Sequence, residues 1–155
     1  KQVAKLILLC PFDRFALAEK TTSGHLDHYL VEAKIKVEQK HAHDLVPVEW
    51  CTLPMSYSTF VSWYDHTDAN HCFGYMLADF HSQYLQKIQQ PVTIIVGSKD
   101  EFFSPENHDQ SQTNLDRLSS QFPHAQNYLV DGARHSFRGY EDLVAEKVKD
   151  FITIS

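Results

Sequence analysis

Residues 91–101, PVTIIVGSKDE, constrain the fold of this chain more than any other stretch. Val92 to Val96 is an unbroken, β-branched run bounded by Pro91 and Gly97. A strand that is apolar at nearly every position has no side suited to water. This is the pattern of a central strand in a parallel sheet covered on both faces by helices. Asp100 follows just past the strand's C-terminal end. Ligands and catalytic groups of open parallel α/β sheets collect at that edge, because side chains there are held by a rigid sheet yet point into a crevice. A second short strand, residues 125–130 (AQNYLV), is followed by the loop DGARHSF, which carries His135. Between the two strands, residues 106–120 read as a mostly polar helix with Leu115 and Leu118, the crossover that parallel neighbours require. Residues 139–152 close the pattern as an amphipathic helix with Leu143, Val144, Val148, Phe151 and Ile152 on its apolar side.

Strand, acid, helix, strand, histidine, helix is the order in which α/β-hydrolases present the last two members of their Ser…Asp/Glu…His triad. The chain resembles the C-terminal half of that superfamily. GSKDEFFSP (97–105) stands as the acid loop and DGARHSF (131–137) as the histidine loop, about 35 residues apart with one helix between them. The resemblance implies an α/β fold in three layers, a short, three-stranded parallel sheet flanked by helices, with a helical cap inserted over residues 15–78. It also implies that Asp100 orients and electrostatically supports His135, and that His135 is the general base that takes the nucleophile's proton. The residues taken alone leave other roles open. Asp100 has the composition of a turn aspartate bonding its own backbone, His135 that of an ordinary loop histidine, and Asp131 is a competing carboxylate.

The family's nucleophile lies in G-x-S-x-G on a sharp strand-to-helix turn, and its oxyanion hole uses the backbone N–H of the next residue. No G-x-S-x-G occurs in this sequence. Cys10, at the end of the apolar run 6–9, is the one thiol placed at a strand end. It is rejected as a substitute, because Pro11 follows and has no N–H to donate to an oxyanion. The expectation is therefore a serine-type acyl hydrolase portion that acts on a small-molecule ester, uses no cofactor and is inactive alone. An alternative of a different class is a non-catalytic hydrolase relic or interaction module.

The first strand, residues 3–9 (VAKLILL), resembles the family's strand after the nucleophile strand. Its inner edge would then pair with a strand that this sequence does not contain, and an open apolar edge is a template for pairing. The implied partner is the missing N-terminal half or a second copy through that edge. Phe12, Asp13 and Arg14 follow on the edge that carries Asp100 and His135. Phe12, Asp13, Arg14, Trp63 and Phe102 are candidate substrate contacts; for Asp13 and Arg14 the competing reading is a surface loop with a local salt bridge.

From Ser23, a candidate N-cap, the spacing of Leu26, Leu30, Ala33 and Val37 predicts a helix. Residues 56–64 predict another, rich in aromatics. Trp50, Met55, Tyr57, Phe60, Trp63 and Tyr64 either line a substrate pocket under the cap or pack the cap's own core. Phe80, Tyr84, Leu85 and Ile88 form a helical stripe over residues 78–90.

Composition narrows the functional classes. A chain of 155 residues that is 43% hydrophobic has enough apolar mass for one core, and a formal charge of −6 with scattered Lys and Arg argues against a nucleic-acid partner. Cys10, Cys51 and Cys72 are odd in number and form no C-x-x-C pair, which disfavours a disulfide framework or zinc ribbon and points to a reducing cytoplasm. No apolar run approaches the roughly 20 residues of a membrane span, so no membrane partner is expected. His41, His43, Asp65, His66, Asp68, His71 and Cys72 follow no metal-ligand spacing, so no metal is expected.

Overall fold

A computed structural model describes residues 3–51, 53–65, 73–77, 79–105 and 107–153. The chain divides into two compact units, one made of residues 1–13 with 75–155 and the other of residues 14–74.

The first unit is built on a three-stranded parallel sheet in the order β1 (Leu6–Leu9), β2 (Val92–Gly97), β3 (Ala125–Val130). The register pairs Leu6 with Val92 on one side of β2 and Val92 with Ala125 on the other. All six residues of β2 are buried. That burial is why its sequence shows no polar alternation, whereas β1 and β3, with a neighbour on one side only among the described residues, are partly exposed. Among the described residues, helical segments of the same unit follow β2 and β3. A 3-10 turn, His108–Gln110, leads into α4 (Ser111–Ser119), and α5 (Glu141–Thr153) closes the chain. Labels α1 to α3 denote the helices of the other unit, Arg14–Thr21, Leu26–Glu38 and Tyr57–Tyr64. Leu115 and Leu118 of α4 are fully buried. From α5, Val144 joins Cys10, Ile95, Val130, Ala133 and Phe137 in one apolar cluster. Leu143 and Ile152, expected on the buried stripe of this helix, are instead 40% and 58% exposed. Among the described residues the sheet has three strands, and part of this stripe stays uncovered.

The stretch before β2 departs from its helical pattern. Apart from Ala78, which lies outside the described residues, it forms turns and one short 3-10 segment, Leu85–Lys87. The reason is a competing set of side-chain bonds. Gln121 accepts the Ser82 N–H at 2.9 Å and donates to the Phe80 carbonyl at 3.2 Å, while Ser82 Oγ accepts the Leu85 N–H. Backbone groups satisfied this way gain little from a helical ladder.

In the second unit, Ser23 does not cap α2. It lies at φ 52° in the turn that ends α1, where the Gly24 N–H reaches back to the Glu19 carbonyl at 2.8 Å, and the residue before α2 is His25. The serine–glycine pair is spent on a left-handed helix stop. Ser56 is a cap: its hydroxyl accepts the Thr59 N–H at 3.2 Å and starts α3. Trp50, Met55, Tyr57, Phe60 and Tyr64 are all buried, with Tyr29 stacked on Trp50 at a centroid distance of 4.6 Å. These aromatics form the unit's own core.

Among the described residues, no helix is long and apolar enough to cross a membrane.

Candidate functional site

The parallel order of β2 and β3 brings their C-terminal ends side by side, and the loops leaving those ends carry Asp100 and His135. Gly97 makes the meeting possible. A Cβ there would overlap the Ala133 carbonyl oxygen and stand 2.7 Å from its carbon, so the histidine loop seats directly on the end of β2. The Lys99 N–H bonds the Ala133 carbonyl at 2.9 Å, and Ser98 Oγ accepts the Gly132 N–H at 2.8 Å while donating to Asp131. Asp131 is thereby part of the turn, and the carboxylate facing His135 is that of Asp100.

His135 Nδ1 lies 3.0 Å from Asp100 Oδ2 and 3.1 Å from Oδ1. Asp100 is completely buried, and its Oδ1 also accepts the N–H groups of Phe102 and Phe103 at 2.9 and 3.1 Å. Asp100 thus bonds its own turn through Oδ1 and also faces the imidazole. An ionised carboxylate can only accept, so this contact requires an N–H on Nδ1, and the neutral tautomer that supplies it leaves the lone pair on Nε2. His135 keeps about a third of its side chain exposed, 34%, in contrast to its buried partner.

Phe12 and Phe102 flank the imidazole. Phe102 meets it edge-on at 4.8 Å and Phe12 at 6.2 Å, and the two phenyl rings are 6.1 Å apart. Both remain partly exposed, at 37% and 38% for Phe12 and Phe102. Asp13, in contrast, is 1% exposed, and its Oδ2 accepts the Met76 N–H at 3.2 Å. Its backbone is fixed by Tyr75, whose hydroxyl accepts the Asp13 N–H and reaches the carbonyls of Pro11 and Phe103. That buried phenol ties the loop after β1 to the acid loop, a connection with no local signal in the sequence. Arg14 and Trp63 belong to the second unit, where the guanidinium stands 5.0 Å over the indole ring. The structure thus gathers Phe12 and Phe102 around the Asp100–His135 pair, buries Asp13 in the scaffold, and pairs Arg14 with Trp63.

Cys10 also stands at this site. It ends β1 at φ 45°, is buried, and its Sγ lies within 4.8 Å of donor atoms of both Asp100 and His135. Burial raises the pKa of this thiol well above its ordinary 9.0, and its hydrogen bond to the Asp100 carboxylate raises it further. A thiol held neutral is a poor nucleophile. The three side chains each offer one ligand atom, all within 4.8 Å of one another, a donor set that could hold a metal ion, whose charge would itself deprotonate the thiol. Cys10, Asp100 and His135 thus stand together at the C-terminal end of the sheet, with the Asp100–His135 hydrogen bond between the last two.

Of the histidines and acids considered for a metal in the middle of the chain, residues 66–72 lie outside the described residues. His41 bonds Asp44 through Nδ1 at 2.8 Å, and Asp65 pairs with Lys34 at 2.8 Å. The scan of protein-family models yields no match to this chain, and the search of curated proteins yields none.

Proposed function

We propose that this chain is the acid- and histidine-bearing portion of a serine α/β-hydrolase that cleaves a small-molecule ester or related acyl bond. The observation that carries the reading is the contact between His135 Nδ1 and the buried carboxylate of Asp100 across the C-terminal ends of two adjacent parallel strands. In this role Asp100 fixes the ring and favours the imidazolium. Nε2 of His135 takes the proton of a serine hydroxyl as it attacks the acyl carbon, then returns it to the departing alcohol. The serine and the oxyanion donors come from a further segment bearing G-x-S-x-G, docked along the outer edge of β1, and the helical unit of residues 14–74 serves as the cap. The chain alone is then inactive.

The test is to express the chain with a candidate nucleophile segment and assay a short-chain nitrophenyl ester. Turnover that is blocked by a serine-reactive phosphonate and falls about a thousandfold or more in His135→Ala supports the reading. Hydrolysis indifferent to His135 and Asp100 would sink it. A second reading, a non-catalytic module that pairs two copies through β1, is favoured by one observation. Among the described residues β1 bonds only β2, while Leu9 at its end is 49% exposed. A monomer by light scattering at micromolar concentration argues against that second reading.

A further inference from the structure

The loop that carries His135 also carries two arginines, and both line the same pocket as the imidazole. This open pocket of about 570 Å³ is lined by Arg134, His135, Arg138 and Tyr140 together with Glu101 and Phe102 from the acid loop. The chain has four arginines, Arg14, Arg117, Arg134 and Arg138. Two are engaged within the fold: Arg14 stands over Trp63, and Arg117 donates to the Tyr75 carbonyl at 2.7 Å. The two in the pocket are exposed and, among the described residues, join no ion pair.

The loop that brings both arginines to the pocket has a tight backbone. Phe137 adopts φ 53°, a left-handed conformation unusual for a residue with a bulky side chain, and its ring is buried in the cluster beneath the loop. The Phe137 N–H bonds the Arg134 carbonyl at 3.0 Å and the Tyr140 N–H bonds the Phe137 carbonyl at 2.8 Å. The chain therefore turns tightly around an anchored phenylalanine, and Arg134 and Arg138, on either side of it in sequence, both line the pocket that His135 lines. Two guanidinium groups against the single carboxylate of Glu101 leave one net positive charge on the lining with His135 neutral, although the whole chain carries −6. Paired planar guanidinium groups suit a carboxylate or a phosphate, whose oxygens accept two N–H bonds at once.

We infer that the pocket beside His135 binds an anionic group, a carboxylate or phosphate, through Arg134 and Arg138. The assignment of that group to the substrate rests on the hydrolase reading above; anion binding itself does not. The ligand class is then a small acyl compound with an oxyanion on one end, the apolar remainder lying against Phe102 and Tyr140.

The experiment titrates inorganic phosphate, and separately acetate, into the isotope-labelled chain at constant ionic strength, followed by amide NMR. Saturable shifts at residues 132–140 and in the Glu101–Phe102 loop are expected. An Arg134→Gln, Arg138→Gln double variant should weaken binding about tenfold or more, and Glu101→Gln should tighten it. Comparison of the two anions tells phosphate from carboxylate recognition. Shifts that do not saturate, or that survive unchanged in the double variant, overturn the inference. If anion binding follows the arginines while the completed enzyme lacks ester turnover, the hydrolase reading fails and the anion site stands. If turnover depends on His135 and anion binding is absent, the anion site alone is wrong.

Discussion

The backbone of Gly97 lies against the carbonyl of Ala133, closely enough that no side chain fits between the end of β2 and the loop that leaves β3. The loop seated there carries His135. Gly97→Ala forces the histidine loop outward; a destabilisation of about 1–3 kcal/mol is expected, as for overpacking at other tight positions. Urea unfolding measures the loss, and the His135 ring resonances should move with it. An unchanged midpoint would show that the loop does not rest on Gly97.

Asp100 has several dependants, so its two substitutions should separate. Asp100→Ala strips the acceptor from the Phe102 and Phe103 N–H groups and from His135, at an expected cost of about 3 kcal/mol. Asp100→Asn keeps a carbonyl for the two amides but turns an NH₂ donor toward Nδ1, so it should cost less and shift the neutral imidazole to the Nε2–H form. Nitrogen NMR of the ring reads the tautomer directly. The same tautomer in wild type and Asp100→Asn would contradict the assigned contact.

Alkaline pH should weaken the fold. Burial is the first cause of raised pKa at Cys10, at Tyr75 and at Tyr64, whose phenol is pushed up to about 12. In the unfolded chain these groups lose their protons near the ordinary values of 9.0 for thiol and 10.0 for phenol, whereas the folded chain retains them. The unfolded state therefore binds fewer protons above these values, and stability declines as pH rises through that window. The urea midpoint should fall on going from neutral pH to above pH 10, with a shallower slope in Tyr75→Phe. A midpoint that rises over this range would refute the assignment.

Ser56→Ala removes the hydroxyl that accepts the Thr59 N–H at the start of α3. A loss of about 1 kcal/mol is expected. Ser23→Ala should cost less, since that residue caps no helix and lies in a turn instead. Equal losses at the two positions would mean that the Ser56 hydroxyl contributes nothing specific.

The elements that were legible in the sequence share one property: their signal is local and repeated. The run from Val92 to Val96 could only be a strand buried on both faces, and Leu115 and Leu118 could only mark the inner side of a crossover helix. Asp100 and His135 were legible because each sits directly after such a strand, so locating the strands located both side chains. Residues 78–90 misled because their apolar spacing is helical while their backbone groups are satisfied by Gln121, some 40 residues away in sequence and visible only after folding.

The sequence by itself determined the strand–helix–strand order and the carboxylate and imidazole that end its two strands, since periodicity and turn residues act over a few positions. Tertiary structure alone decided which carboxylate faces His135, that Asp13 is buried beneath Tyr75 and Met76, that Cys10 lies in hydrogen-bonding reach of Asp100, and that Arg134 and Arg138 share a pocket with the imidazole. Each of these depends on contacts between residues distant in the chain. Such contacts follow from sheet register and loop packing, which no local pattern encodes.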